Sequence, residues 1–409
     1  MGFIARRTPF YVVFALAVFS FIFMPTVTAA ENDAKLPGAQ PVVEAIHYGS
    51  LQEAIDAIPA DGGALHIPPG TFEIDQPLVI HQEDVLLRGS GTATHIKNTN
   101  TEGEPTLVLR PGTDEQGKQK DRQWRIQLSD FRITGNEKSG PGIVAKRVNE
   151  IYIDGVSVSY HGGSGIVLDH CYEDPRICNS LITYNKGTGL DLQGCHDIVV
   201  SANHFEENQD ALHCFDGFNL CMTGNNLDDH LGHGVVVENT YGSVVSGNMI
   251  EECKGFAIVL GRDCYGNTLS ANVIAHNGGG VDLPDAHGCS VSANTFTIMK
   301  DNALRIGPKS GRITVTGNNF SDSYIGEGKL KRREGDRAAA GMTLNGAKNL
   351  AISGNVFSGV HPKALELKGD LSRGILFSNN VLFNTKSDHD KLKESMVVNI
   401  LQPDEGEQE

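Results

Sequence analysis

The chain has 409 residues, 47 of them glycine and only one tryptophan, with aromatics at 7% and a formal net charge of −16. So few large side chains exclude several deep globular cores and leave a thin, repetitive core of Val, Ile and Leu. The acidity excludes the basic surface that nucleic-acid binding needs, and it opposes a polyanionic ligand unless a basic patch or bound cations intervene.

The first thirty residues read as an export signal. Arg6 and Arg7 precede an apolar run from Tyr11 to Met24, and small residues follow up to Ala29 and Ala30. That is the order of charged, apolar and cleavage regions in a secretory leader. A twin-arginine signal would also carry such a pair, although Phe10 lies one place late for it. The run is short for a membrane span and no second one follows. The expectation is a secreted or periplasmic protein with no integral membrane segment once the leader is cut.

Residues 31–43 read as a linker. Ser50 then opens SLQEAIDAI, with Glu53 three places on, which is a capping-box start. Leu51, Ala54, Ile55 and Ile58 form one stripe suited to sealing the end of a solenoid. The main domain is expected over 44–386. Residues 387–409 form a C-terminal cap and tail, in which DKLKESMVVNI reads as a second short helix.

Two phrases recur through the domain. The first is apolar, Ser or Thr, small, Asn, any, apolar: VSANHF, MTGNNL, VSGNMI, LSANVI, VSANTF, VTGNNF, ISGNVF and FSNNVL. Its asparagines are 203, 225, 248, 272, 294, 318, 355 and 380, at steps of 22, 23, 24, 22, 24, 37 and 25. Upstream, Phe131, Val156 and Ser180 hold the slot. The second phrase, small-apolar-variable-apolar, runs in phase from Gly142 to Leu367 and alternates with period two, as strands do. Strands returning at this interval stack about 4.8 Å apart. The predicted fold is therefore all-β: a right-handed parallel β-helix of roughly 10–13 coils with an N-terminal capping helix. The repeated Asn is structural, bonding the turn and stacking as a ladder. The 37-residue step marks a loop at 321–340 with a basic core of Lys329, Lys331, Arg332 and Arg333.

Eight cysteines lie between Cys171 and Cys289, with no CxxC spacing. Cys171 and Cys195 fall at one place in successive coils, close enough for a disulfide. Cys214 takes an inward slot and reads as a buried free thiol.

Chemistry in a β-helix needs outward side chains that align between coils. The variable position of the second phrase reads Val144, Val167, Asp191, His213, Val236, Val259, Asp282, Arg305, Thr343 and Glu366. Adding its flanks, titratable groups concentrate at Asp191, Asp210, His213, Asp216, His233 and Glu238, the candidate catalytic set. Carboxylates one or two coils apart suit glycoside hydrolysis, and a histidine beside Asp191 suits proton transfer. Arg262, Asp282 and Arg305 are the candidate substrate-binding residues. A second acidic column offers Asp228, Asp229 and Glu251 to a metal, with Ca²⁺ as the candidate cofactor.

Helix, Gly-Gly, strand, Pro-Pro-Gly turn, strand and Gly-rich coil, in LQEAIDAIPADGGALHIPPGTFEI and VLLRGSGTATHI, resemble the opening of the pectate-lyase-like β-helix superfamily. The resemblance covers about residues 44–385. It implies a β-helix but spans lyases, hydrolases, epimerases and non-catalytic surface proteins. The polygalacturonase pattern is met in part and out of order, at Asn208-Gln209-Asp210, Asp228-Asp229, Gly232-His233-Gly234 and Arg305-Ile306-Gly307. The mannuronan epimerase motif DPH is replaced by LHCFD. Two functions follow: an enzyme acting on extracellular or envelope polysaccharide, as lyase, hydrolase or epimerase, or a non-catalytic glycan-binding or structural surface protein. The expected partner is a polysaccharide or glycan ligand, with no nucleic acid.

Overall fold

The computed structural model describes residues 36–114, 116–321 and 340–394. The export signal and most of the basic loop lie outside the described residues. From Gln40 onward the chain is one unit, and it winds as a right-handed parallel β-solenoid. Each regular coil has three short strands rather than the minimum of two that the phrases require. They contribute to three parallel sheets of 12, 16 and 13 described strands, termed here sheets I, II and III. Thirteen strands in sheet III correspond to about thirteen turns.

The first phrase is the corner from sheet II to sheet III. In VSANHF, Val199–Ser201 ends the sheet II strand and His204–Glu206 begins sheet III. Ala202 between them has φ of +55°, and the small residue recurs at φ +66° in Gly224 and +68° in Gly247. Small side chains suit this left-handed bend. The asparagine that follows is buried. Asn225 Nδ2 donates to Val200 O of the preceding coil (3.0 Å), while Asn248 Oδ1 accepts from both the backbone N and Nδ2 of Asn225 (3.0 and 2.9 Å). The same bonds repeat along the ladder to Asn380.

A second ladder, absent from the first phrase, runs at the corner from sheet III to sheet I. Its residues are His161, Asn185, Asn208, His230, Cys253 and Asn277, all buried. Asn185 donates to Asn208 Oδ1, and Cys253 N donates to Asn277 Oδ1. Each follows a residue with positive φ, such as Tyr184, Glu207 and Asp229.

The third corner explains three of the cysteines. Cys171, Cys195 and Cys264 occupy buried slots where the thiol donates to a carbonyl of the preceding coil: Ala145 O at 3.4 Å, Leu168 O at 3.2 Å and Val237 O at 3.3 Å. All eight cysteines are free. The expected Cys171–Cys195 disulfide is therefore not formed: the register is right, but each thiol is directed at the backbone, as an Asn amide is in the ladders. Cys214 is a buried free thiol as expected.

The ends are capped differently. The helix Leu51–Asp56 begins at Ser50, whose Oγ accepts from Glu53 N (3.2 Å), while Glu53 Oε2 accepts from Gly49 N (3.0 Å). Leu51, Ala54, Ile55 and Ile58 are all buried. At the other end a 3₁₀ helix spans His389–Glu394 and buries Leu392; residues beyond 394 lie outside the described part. Among the described residues no helix is long and apolar enough to cross a membrane.

Candidate active site on sheet I

Sheet I carries the expected outward column in register. Val167 pairs Asp191, Asp191 pairs His213, His213 pairs Val236, Val236 pairs Val259, Val259 pairs Asp282 and Asp282 pairs Arg305. Flanking residues are inward and buried, for example Leu212 and Cys214 around His213. Alternation thus places the chemistry on the solvent side of a rigid strand.

Three of the expected catalytic residues meet. His213 Nδ1 is 3.6 Å from Asp191 Oδ1, and its Nε2 is 3.2 Å from Glu238 Oε2. The first is an ion-pair distance, the second a hydrogen bond. Arg262 closes the chain, its Nε 3.1 Å from Glu238 Oε1. Asp191 is held by Gln193, which donates from Nε2 to its Oδ2 (2.8 Å). Asp191 and then Glu238 raise the pKa of His213 above its usual 6.5, against partial burial. Two flanking carboxylates favour the imidazolium.

The other three expected catalytic residues are used elsewhere. Asp210 Oδ1 accepts from His233 N (2.5 Å), bracing the next coil's backbone. It precedes His213 by three residues, about 10 Å along an extended strand. His233 Nδ1 accepts from Phe256 N (2.9 Å), which fixes its proton on Nε2. Asp216 sits one residue beyond the Glu238 row, at a corner with φ of +53°, and accepts from Asn239 Nδ2 (2.5 Å). Backbone and corner geometry account for these three contacts.

The candidate binding residues Asp282 and Arg305 form a two-toothed pair, Nε to Oδ1 at 2.7 Å and Nη2 to Oδ2 at 2.5 Å. Asp282 is almost buried, and the Arg305 guanidinium lies 4.7 Å from the ring centre of Phe256. Beside it Thr343 donates to Asn302.

The acidic column lies at the corner leading into sheet I. The structure brings Asp228, Asp229 and Glu252 within 4.8 Å of one another through their ligand atoms. The expected set held Glu251 instead. Glu252 shares the positive-φ corner position of Asp229, whereas Glu251 ends its strand, and burial, then the like charge of Asp228, raise its pKa.

Sequence reasoning missed a row of rings at the corner after sheet I. Tyr172, His196, Phe218, Tyr241 and Tyr265 stack with centroids 3.9, 4.4, 5.2 and 5.0 Å apart, and Arg122 covers Tyr172 at 3.8 Å. The signal was an aromatic or histidine at the repeat interval. These rings cover one another's faces, so the row braces the corner. A cavity of about 620 Å³ lies beside His81, Arg110 and Lys120, and none of the expected site residues lines it. The variable residues of the sheet I column, Asp191, His213, Val236 and Val259, are partly exposed on the solvent side of their strands.

The family model described as right-handed beta helix region matches residues 141–296 and 263–399. The chain belongs to this family. No curated protein matches it. Among solved structures, the A-module of mannuronan C-5 epimerase AlgE4 from Azotobacter vinelandii aligns with a TM-score of 0.55 at 16% identity, over 85% of this chain and 96% of that one. Tailspike protein 3 of bacteriophage CBA120 aligns at 0.57 and 12% identity, over 85% and 65%. ORF18 of Geobacillus virus E2 aligns at 0.55 and 18%, over 70% of this chain; the chain spans 62% of that protein's length. At these identities the likeness is one of fold.

Proposed function

We propose that this β-helix protein acts on polysaccharide along sheet I, with His213 as the proton-transferring group held by Asp191 and Glu238. The observation that carries the reading is the Asp191–His213–Glu238–Arg262 chain, an imidazole clamped by carboxylates on both nitrogens and partly exposed on the solvent side of its strand. Clamping fixes the ring and favours its cation, which suits His213 to donating a proton to a departing sugar oxygen. Glu238 or Asp191 then serves as its carboxylate partner, positioned on an adjacent coil. The fold shared with a mannuronan C-5 epimerase module supports a glycan ligand. The leader-like residues 1–30 support export, so the substrate is extracellular or in the envelope.

The acidic corner of Asp228, Asp229 and Glu252 offers oxygen ligands to Ca²⁺, which there would brace the coils rather than join the chemistry. The test is incubation of the exported protein with a polysaccharide panel, with and without Ca²⁺. Product release should fall by about 10²-fold or more in His213→Ala, the usual scale for a lost acid–base group. Asp216→Ala should leave it within a few fold. Ca²⁺ should raise the melting temperature and leave the His213 dependence intact. Equal product release from His213→Ala and the parent protein would refute the catalytic assignment. Glycan binding without any product would favour the binding function instead.

A further inference from the structure

We infer that the sheet I strip takes an uncharged oligosaccharide lying along the solenoid axis, held at two polar clamps across an apolar floor. The inference rests on the reading of sheet I as a glycan groove and adds the class of glycan. Register supplies the layout. His213, Val236, Val259, Asp282 and Arg305 succeed one another coil by coil in one outward column. The ends of this stretch are four coil steps apart, roughly 19 Å at the usual strand spacing. Between the clamps the floor is Val236 and Val259, each partly exposed, with Phe256 at one margin under Arg305. Apolar floor with polar ends matches a pyranose chain, whose C–H faces pack on hydrocarbon while its hydroxyls reach the sides.

Charge decides the class. At the first clamp two carboxylates, Asp191 and Glu238, face one imidazolium and one guanidinium, His213 and Arg262. At the second, Arg305 is paired tooth for tooth with a nearly buried Asp282. Among the described residues the clamps therefore carry no spare cation. A uronate chain would bring a negative charge with each sugar into a strip already lined by carboxylates, on a protein of net charge −16. An uncharged chain brings hydroxyls instead. These donate to the carboxylate oxygens and accept from the Nη1 hydrogens that Asp282 leaves free on Arg305.

Calorimetry at 0.15 M salt tests this with the exported protein and two sets of hexaoses. One is uncharged (cello-, xylo-, manno- and laminarihexaose) and the other acidic (hexamannuronate and hexagalacturonate). At least one uncharged hexaose should bind, at least tenfold more tightly than its disaccharide and than either acidic hexaose. Val259→Lys, a change on the solvent side of the strand, should weaken that binding at least tenfold with an unchanged circular dichroism spectrum. Tighter binding of an acidic hexaose, no binding by either set, or full affinity in folded Val259→Lys would each overturn the inference. Product release reports separately on the function proposed above. Binding of an uncharged hexaose without turnover would refute that catalysis and sustain this preference, while cleavage confined to polyuronate would do the reverse.

Discussion

His213 is the residue on which most of the chemistry turns, and its environment has a defined pH signature. Asp191, then Glu238, raise its folded pKa above 6.5. A raised pKa means that the folded state holds the proton more tightly than the unfolded chain does. The resulting stabilisation is complete below 6.5 and is lost as pH rises through the folded value. A proton donor follows the same direction. The rate should decline on the alkaline side with an inflection above 6.5. Asp191→Asn should move that inflection back toward 6.5, because it removes the principal charge that favours the imidazolium. A pH–rate profile of both proteins checks this, and an inflection left in place by Asp191→Asn would remove Asp191 from its positioning role. Asp210 and Asp216 are equally acidic in sequence but answer to a backbone amide and an asparagine.

At the scale of the element, the corners carry the specificity of the fold. Each pairs a positive-φ residue with a buried side chain that bonds the coils above and below. Asn248 sits mid-ladder: its Oδ1 accepts twice from Asn225, and its Nδ2 donates to Met222 O and Asn272 Oδ1. Asn248→Ala leaves buried groups unsatisfied in adjacent coils and should cost about 3 kcal/mol. Denaturant unfolding measures it, and a loss below about 1 kcal/mol would show that the ladder contributes little. The second ladder is interrupted by His161 and His230, buried with pKa values lowered to about 4. Both ring nitrogens of His161 and Nε2 of His230 lack a well-formed hydrogen bond among the described residues. Burial disfavours the imidazolium, so the unfolded chain takes up protons first. Stability is full above 6.5 and falls as pH drops toward 4, by up to about 3 kcal/mol per histidine. Melting temperatures from pH 8 to 4 should fall accordingly. His230→Asn, which restores the residue found at 208 and 277, should flatten the slope; an unchanged slope would assign the acid loss to other groups.

As a whole molecule, the solenoid turns a one-dimensional pattern into a surface. Each coil touches chiefly its neighbours, so a property repeated every 22–24 residues becomes a stripe parallel to the axis. The Asn ladders, the aromatic row, the acidic corner and the sheet I column are four kinds of such stripe. Three of them brace corners or crowd like charges there. The sheet I column joins titratable groups to a partly exposed strand face, and the glycan proposals rest on that combination. Coil count, strand alternation and the outward column were legible in the sequence because each depends on a short local period. The second ladder and the aromatic row have the same period but mixed residue types, His and Cys among Asn, or His and Phe among Tyr, so identity alone did not reveal them.

Sequence by itself determined that this is a parallel β-helix, with a capping helix at Ser50 and with Asp191, His213, Asp282 and Arg305 in one outward file. Hydrophobic periodicity and turn chemistry act within one coil and leave little choice. Only the tertiary structure decided which neighbours those side chains take. Glu238 reaches His213 while Asp216 bonds Asn239, Glu252 rather than Glu251 joins Asp228 and Asp229, and Cys171 and Cys195 donate to carbonyls and form no disulfide. One residue of shift at a corner redirects a side chain from the groove to the next coil. That choice depends on φ at the turn and on the coil stacked against it, neither of which a repeat interval specifies.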